Sequence, residues 1–197
     1  MNFCFLGDSF AVPLTEKEKD YCVGMPALPI CDIKTNQMLK FYCKQQDKKV
    51  FWSCGNHYFG YPQIEKIKQA LKKPLHERFL TFYSHQRINQ TVLQLLKDKQ
   101  IPLEDLEILE NLAIELIKYQ LNLYPNLFLV PLLAWLQLQR KKHSFYETIK
   151  NQIPSDRIVN IESMTDDPKI YNFTERGHLT ALGRKMLMEK LNNIAIK

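Results

Sequence analysis

Three short apolar runs, two closed by glycine-containing turns and the third interrupted by a proline, constrain this chain more than any other feature of its sequence. Phe3-Cys4-Phe5-Leu6 runs into Gly7-Asp8-Ser9, Val50-Phe51-Trp52-Ser53-Cys54 runs into Gly55-Asn56-His57, and the third, residues 127–133, contains Pro131. Runs this short with almost no polar interruption suit strands buried on both faces of a sheet, since a half-exposed strand would alternate. Helical spacing fills the intervals. Residues 35–49 carry Met38, Leu39, Tyr42 and Cys43 on one face, Ile64, Ile67 and Leu71 mark a short helix before Pro74, and Ile88, Val92, Leu95 and Leu96 mark another before Pro102. Pro102 stands at a first helical position, ahead of the longest predicted helix, whose Leu106, Leu109, Ala113, Leu116 and Gln120 share a face. Residues 145–151 read as helix, 157–161 as a β-prone segment, and 180–193 as a final helix with Leu182, Met186, Leu187 and Leu191 inward. Residues 15–20 allow one helical turn, and 23–32, with Gly24, Pro26 and Pro29, read as a loop.

Strands alternating with helices at this spacing specify an α/β fold, an open and mainly parallel sheet with helices on both faces. A chain of 197 residues supports one such domain, spanning 1–197. With 45% hydrophobic and 24% charged residues it has the composition of a globular core, which excludes disorder and low-complexity scaffolds. No apolar run reaches the roughly 20 residues of a membrane-spanning helix. The N-terminus has no basic segment followed by a long apolar one, so the expected location is cytoplasmic.

The net charge of +6 favours anionic partners at long range. Its densest run, Arg140-Lys141-Lys142, reads as a solvated turn, and without a groove-entering or base-stacking motif a nucleic-acid partner is not expected. Five cysteines with no C-x-x-C pair support neither a disulfide framework nor a zinc site; reduced, buried thiols are expected. No His/Cys/Asp cluster has ligand spacing, so neither a metal nor a bound cofactor is expected.

In open α/β sheets ligands bind beyond the carboxyl ends of the strands. Three residues in such loops could act together: Ser9 after the first strand, Asn56 after a central one, and His178 before the last helix. Each taken alone also suits an ordinary turn or surface position. Jointly they offer a nucleophile and a base, and Glu175, three residues before His178, can orient the imidazole. His57 beside Asn56 reads as a hydrogen-bonded structural histidine, and His76, His85 and His143 as surface residues.

At these positions the sequence resembles the SGNH hydrolases, also called GDSL-type esterases and lipases. Phe5-Leu6-Gly7-Asp8-Ser9-Phe10 is similar to the family's first block, with Ser9 in the nucleophile's place. Glu175-Arg176-Gly177-His178-Leu179-Thr180-Ala181-Leu182-Gly183 is similar to its last, where an acid and a histidine three apart precede the C-terminal helix. Cys54-Gly55-Asn56-His57 matches the third block in part: the glycine is one place late and histidine replaces aspartate. The family's acid is usually aspartate, so Glu175 also departs, and Asp166 and Asp167 are alternatives.

The resemblance implies a three-layer, flavodoxin-like sheet and an acyl-serine mechanism. Ser9, His178 and Glu175 would form the triad, and the Ser9 and Gly24 backbone N–H groups with Asn56 the oxyanion hole. It finds no motif over residues 58–124, which read as a helix-rich insertion or cap. The implied function is a serine esterase acting on a small-molecule or carbohydrate ester of an acyl or acetyl group. One alternative is an O-acetyltransferase of the same fold, with acetyl-coenzyme A as co-substrate and a carbohydrate hydroxyl as acceptor; a second is a non-catalytic binding module on a degenerate hydrolase fold. Acyl length, acceptor and oligomeric state are left open.

Overall fold

A computed structural model describes residues 2–25, 28–45, 47–54, 63–81, 102–131, 145–161, 169–172 and 178–196. Its centre is a parallel four-stranded sheet of β1 (Phe3–Gly7), β2 (Cys22–Gly24), β3 (Lys49–Ser53) and β4 (Leu127–Val130), in the order β2-β1-β3-β4. The register aligns the carboxyl ends: Gly7 lies opposite Gly24 on one side and Ser53 on the other. Beyond β4, Ile158 bridges to Leu129 and the Val159 N–H donates to the Leu129 carbonyl at 2.8 Å, which continues the parallel order by one residue pair.

The period-two alternation of strand side chains divides the core in two. Cys4, Leu6, Val50, Trp52, Leu127 and Leu129 point to one face. There they pack against Leu39 of α1 (Ile33–Tyr42), Ile67 of α2 (Ile64–Ala70), Leu112 and Leu116 of α3 (Leu103–Leu123), and Ile149 of α4 (Phe145–Gln152). Phe3, Phe5, Phe51 and Val130 point to the other, against Leu187, Met188 and Leu191 of α5 (Ala181–Ile196). The protein is thus a three-layer α/β domain of flavodoxin-like form, and burial on both faces explains the unbroken apolar runs.

Several local expectations are corrected. Residues 23–32 are not all loop: Val23 and Gly24 complete β2, which owes its strand state to pairing with β1. Pro102 precedes its helix instead of opening it, with an extended ψ of 140°, and α3 begins at Leu103. The β-prone segment 157–161 contributes one bridge and no full strand. In α5, Leu182 and Met186 are exposed while Arg184, Leu187, Met188 and Leu191 are buried, so the inward face is rotated from the expected one. The cause is Arg184, whose guanidinium is buried in an ion pair with Glu18.

Of residues 58–124, the described part consists mainly of α2 and α3. Both pack on the sheet, and α3 carries the chain from the β3 side to β4. The helix expected around Ile88 to Leu96 lies outside the described residues. Among the described residues no helix is long and apolar enough to cross a membrane.

Candidate active site at the carboxyl edge of the sheet

The chain leaves β1 at Gly7, in the left-handed region with φ +135°, where a side chain would be strained. Asp8 follows in extended conformation and caps a short 3-10 turn, Ser9–Ala11, its carboxylate accepting from the Phe10 N–H at 3.1 Å. The same Asp8 oxygen accepts from the Ser53 hydroxyl at 2.7 Å. Asp8 is almost wholly buried, so these bonds offset part of the cost of taking a carboxylate out of water. They also join the loop after β1 to the end of β3.

Gly24 closes the turn from the other side. A Cβ at this position would sit 2.3 Å from the Val12 nitrogen and 2.5 Å from the Asp8 carbonyl oxygen, so only a glycine lets β2 end against the backbone that carries Ser9. The Met25 N–H donates to the Gly7 carbonyl at 3.0 Å and extends this contact by one residue. In the order β2-β1-β3-β4 the chain turns to one side after β1 and to the other after β3. Ser9 therefore begins the loop at the β1/β3 crevice, the topological switch point where open α/β sheets bind ligands.

His178 opens β6 (His178–Leu179), whose partner is the antiparallel β5 (Tyr171–Asn172), with Asn172 opposite His178. Two contacts give the direction of the helix that follows. Near its start, Arg184 donates to the carbonyls of Phe10 and of Val12, the latter at 3.2 Å. Near its end, the Ile194 carbonyl accepts from Nζ of Lys49, the first residue of β3, at 2.8 Å. Helix α5 thus runs antiparallel to the strands and starts at their carboxyl edge, the edge from which Ser9 departs.

Arg184 also meets both oxygens of Glu18, at 3.3 and 3.1 Å, and its guanidinium lies 5.5 Å from the centre of the Phe5 ring. Glu18 further accepts from the Leu14 N–H at 2.6 Å. Burial pushes its carboxyl pKa up, but the hydrogen bonds from Arg184 and Leu14 outweigh that and hold it below the ordinary value.

Among the candidate site residues, Gly24 lies against the Asp8–Val12 backbone that includes Ser9, and α5, the helix that follows His178, starts at the same edge. Asn56, His57, Glu175, Asp166 and Asp167 lie outside the described residues. His76 is exposed beside Glu77, as a surface histidine should be; His85 and His143 lie outside the described residues. All five cysteines are reduced and buried, and burial pushes Cys22, Cys31 and Cys43 up to about 12. Among the described residues no group of His, Cys, Asp or Glu is arranged to hold a metal ion.

The sequence reading missed the supports of the turn: Asp8, Ser53, Glu18 and Arg184. Two of them left a local signal: Asp8 is an aspartate at a cap position, and Glu18 has the capping-box spacing Thr15-x-x-Glu18, in which the Thr15 hydroxyl accepts from the Glu18 N–H at 3.3 Å.

No protein-family model matches this chain, and no curated protein does either. A search of solved structures matches a chain from Streptococcus pneumonia provisionally described as a platelet activating factor. The identity is 15% and the TM-score 0.39, over 98% of this chain and 83% of that one.

Proposed function

We propose that the protein is a serine esterase that cleaves an acyl or acetyl ester through an acyl-serine intermediate. The observation that carries this reading is the place of Ser9, first residue of a capped 3-10 turn at the β1/β3 crevice with the Gly24 backbone against it. Its further support is the pair of sequence blocks around Ser9 and His178.

In this mechanism the Ser9 hydroxyl oxygen attacks the ester carbonyl carbon while His178 takes its proton, and the carbonyl π electrons move onto oxygen. The Ser9 and Gly24 N–H groups and the Asn56 side chain donate to that oxyanion. Glu175 orients the imidazole and stabilises its charged form. On collapse the C–O bond to the alcohol breaks, the leaving oxygen takes the proton from His178, and the acyl group stays on Ser9. Water, deprotonated by His178, then releases the acid and restores the serine.

Turnover of p-nitrophenyl acetate by the wild type and by single variants tests this. Ser9→Ala and His178→Ala should abolish turnover, Asn56→Ala should lower it by about 100- to 1000-fold with little change in KM, and Glu175→Gln should cost less than His178→Ala. Full turnover by Ser9→Ala would refute the proposal. If acetyl-coenzyme A with a sugar acceptor gave an acetylated sugar while the ester released no acetate, the activity would be that of an O-acetyltransferase. No reaction with either donor would point to a binding module.

A further inference from the structure

We propose that Arg184 is a positioning residue for the nucleophile turn: its guanidinium, held by Glu18, fixes the Phe10 and Val12 carbonyls and with them the placement of Ser9 relative to the start of α5. The inference rests on the reading of Ser9 as nucleophile and extends it to residues that no sequence block marks.

The geometry is specific to a guanidinium. Nη1 serves Phe10, Nη2 serves Val12 and one Glu18 oxygen, and Nε serves the other Glu18 oxygen, so one planar fork joins three backbone and side-chain positions. A lysine could meet the carboxylate as a point charge but could not hold all these acceptors in one plane. Glu18 is anchored in turn by the Leu14 N–H and by the Thr15 cap, so the carboxylate cannot follow the arginine if the arginine moves.

Energetics point the same way. Arg184 and Glu18 retain only 8% and 9% of their side-chain exposure, and a pair so buried seldom adds more stability than apolar side chains of equal volume. What apolar side chains could not supply is donors to the carbonyls of Phe10 and Val12, which lie in an irregular turn outside the sheet ladder. The bond joins residues 174 apart in sequence, the first next to Ser9 and the second six residues after His178. Arg184 therefore links the two segments that the proposed reaction must hold in register.

The test uses the full chain with Arg184→Lys, Arg184→Met and Glu18→Gln, read by hydrogen exchange in segments 8–13 and 49–53 and by the fluorophosphonate labelling rate at Ser9. Arg184→Lys and Arg184→Met should speed exchange in 8–13 by about tenfold or more and should slow labelling, while 49–53, in a central strand, reports the global loss of stability. No acceleration in 8–13 would overturn the inference by showing no anchoring. If Arg184→Met does not fold, Arg184→Lys and Glu18→Gln give the same comparison. A wild type that is not labelled refutes the nucleophile reading and leaves exchange to decide the positioning role. Labelling at the wild-type rate in folded Arg184 variants refutes the positioning role alone.

Discussion

The two edges of the sheet are fastened by different chemistry. At the amino edge, Arg157 donates to the carbonyls of Leu121, Tyr124 and Leu127 at 2.7–3.1 Å, and the Asn126 amide to those of Cys43, Gln45 and Lys48 at 2.9–3.4 Å. These side chains tie the end of α3 and the loop after α1 to the strand starts, and their acceptors are neutral backbone. At the carboxyl edge the fastenings include two buried carboxylates, Asp8 and Glu18, and the guanidinium of Arg184. Burying a carboxylate is expensive, and at the amino edge backbone carbonyls serve as the acceptors instead. The costlier chemistry sits beside Ser9, at the edge where this fold class binds ligands.

The sharpest way to break this contrast is to remove each arginine's head while keeping its stem. Arg184→Met strands the Glu18 carboxylate and should cost about 3–5 kcal/mol. Arg157→Met strands only carbonyls and should cost about 1.5–3 kcal/mol. Urea unfolding of both variants measures the difference, and equal losses would erase the distinction between the edges.

Gly24→Ala should cost about 1–3 kcal/mol, because the atoms its Cβ meets are backbone and cannot rotate away. The displaced turn carries Ser9, so this variant should also lose esterase turnover beyond what its unfolded fraction explains. Thermal melts and p-nitrophenyl acetate assays below the melting range separate the two effects.

Acid should act on the carboxyl edge first. The pKa of Glu18 is lower in the folded chain than its unfolded value of about 4.3, so its contribution is fully present above that value and is lost as pH falls through the folded pKa. Melting temperature followed from pH 7 to pH 3 should drop less in Glu18→Gln than in the wild type. The Arg157→Met variant should keep the wild-type acid dependence, and a Glu18→Gln curve parallel to the wild type would remove the carboxylate from the account.

The smallest effect concerns the thiols. With all five cysteines buried, alkylation at pH 8 should be slow in the folded protein and complete on unfolding. Rapid modification of one cysteine in the folded chain would reveal an opening at its position.

What the sequence made legible, and what it hid, follows the same division between local and tertiary causes. β1, β3 and β4 announce themselves because burial on both faces demands consecutive apolar residues, and that pattern is local. β2 does not: Cys22-Val23-Gly24 is three residues beside a proline-rich stretch and becomes a strand only by pairing with β1. The face of α5 was misread because an arginine counts as outward in any periodicity argument, whereas Arg184 is drawn inward by a carboxylate 166 residues away. The Gly-Asp-Ser turn was visible as a motif, yet the residues that hold it, Ser53 and Arg184, are 45 residues from Asp8 and 174 from Phe10.

Reaction with a fluorophosphonate probe, followed by mapping of the adduct, asks whether Ser9 is the nucleophile. A single phosphonylated residue, Ser9, is expected, with labelling lost in Ser9→Ala and strongly slowed in His178→Ala while both variants stay folded. An adduct on a different residue, or none on folded wild-type protein, would contradict it.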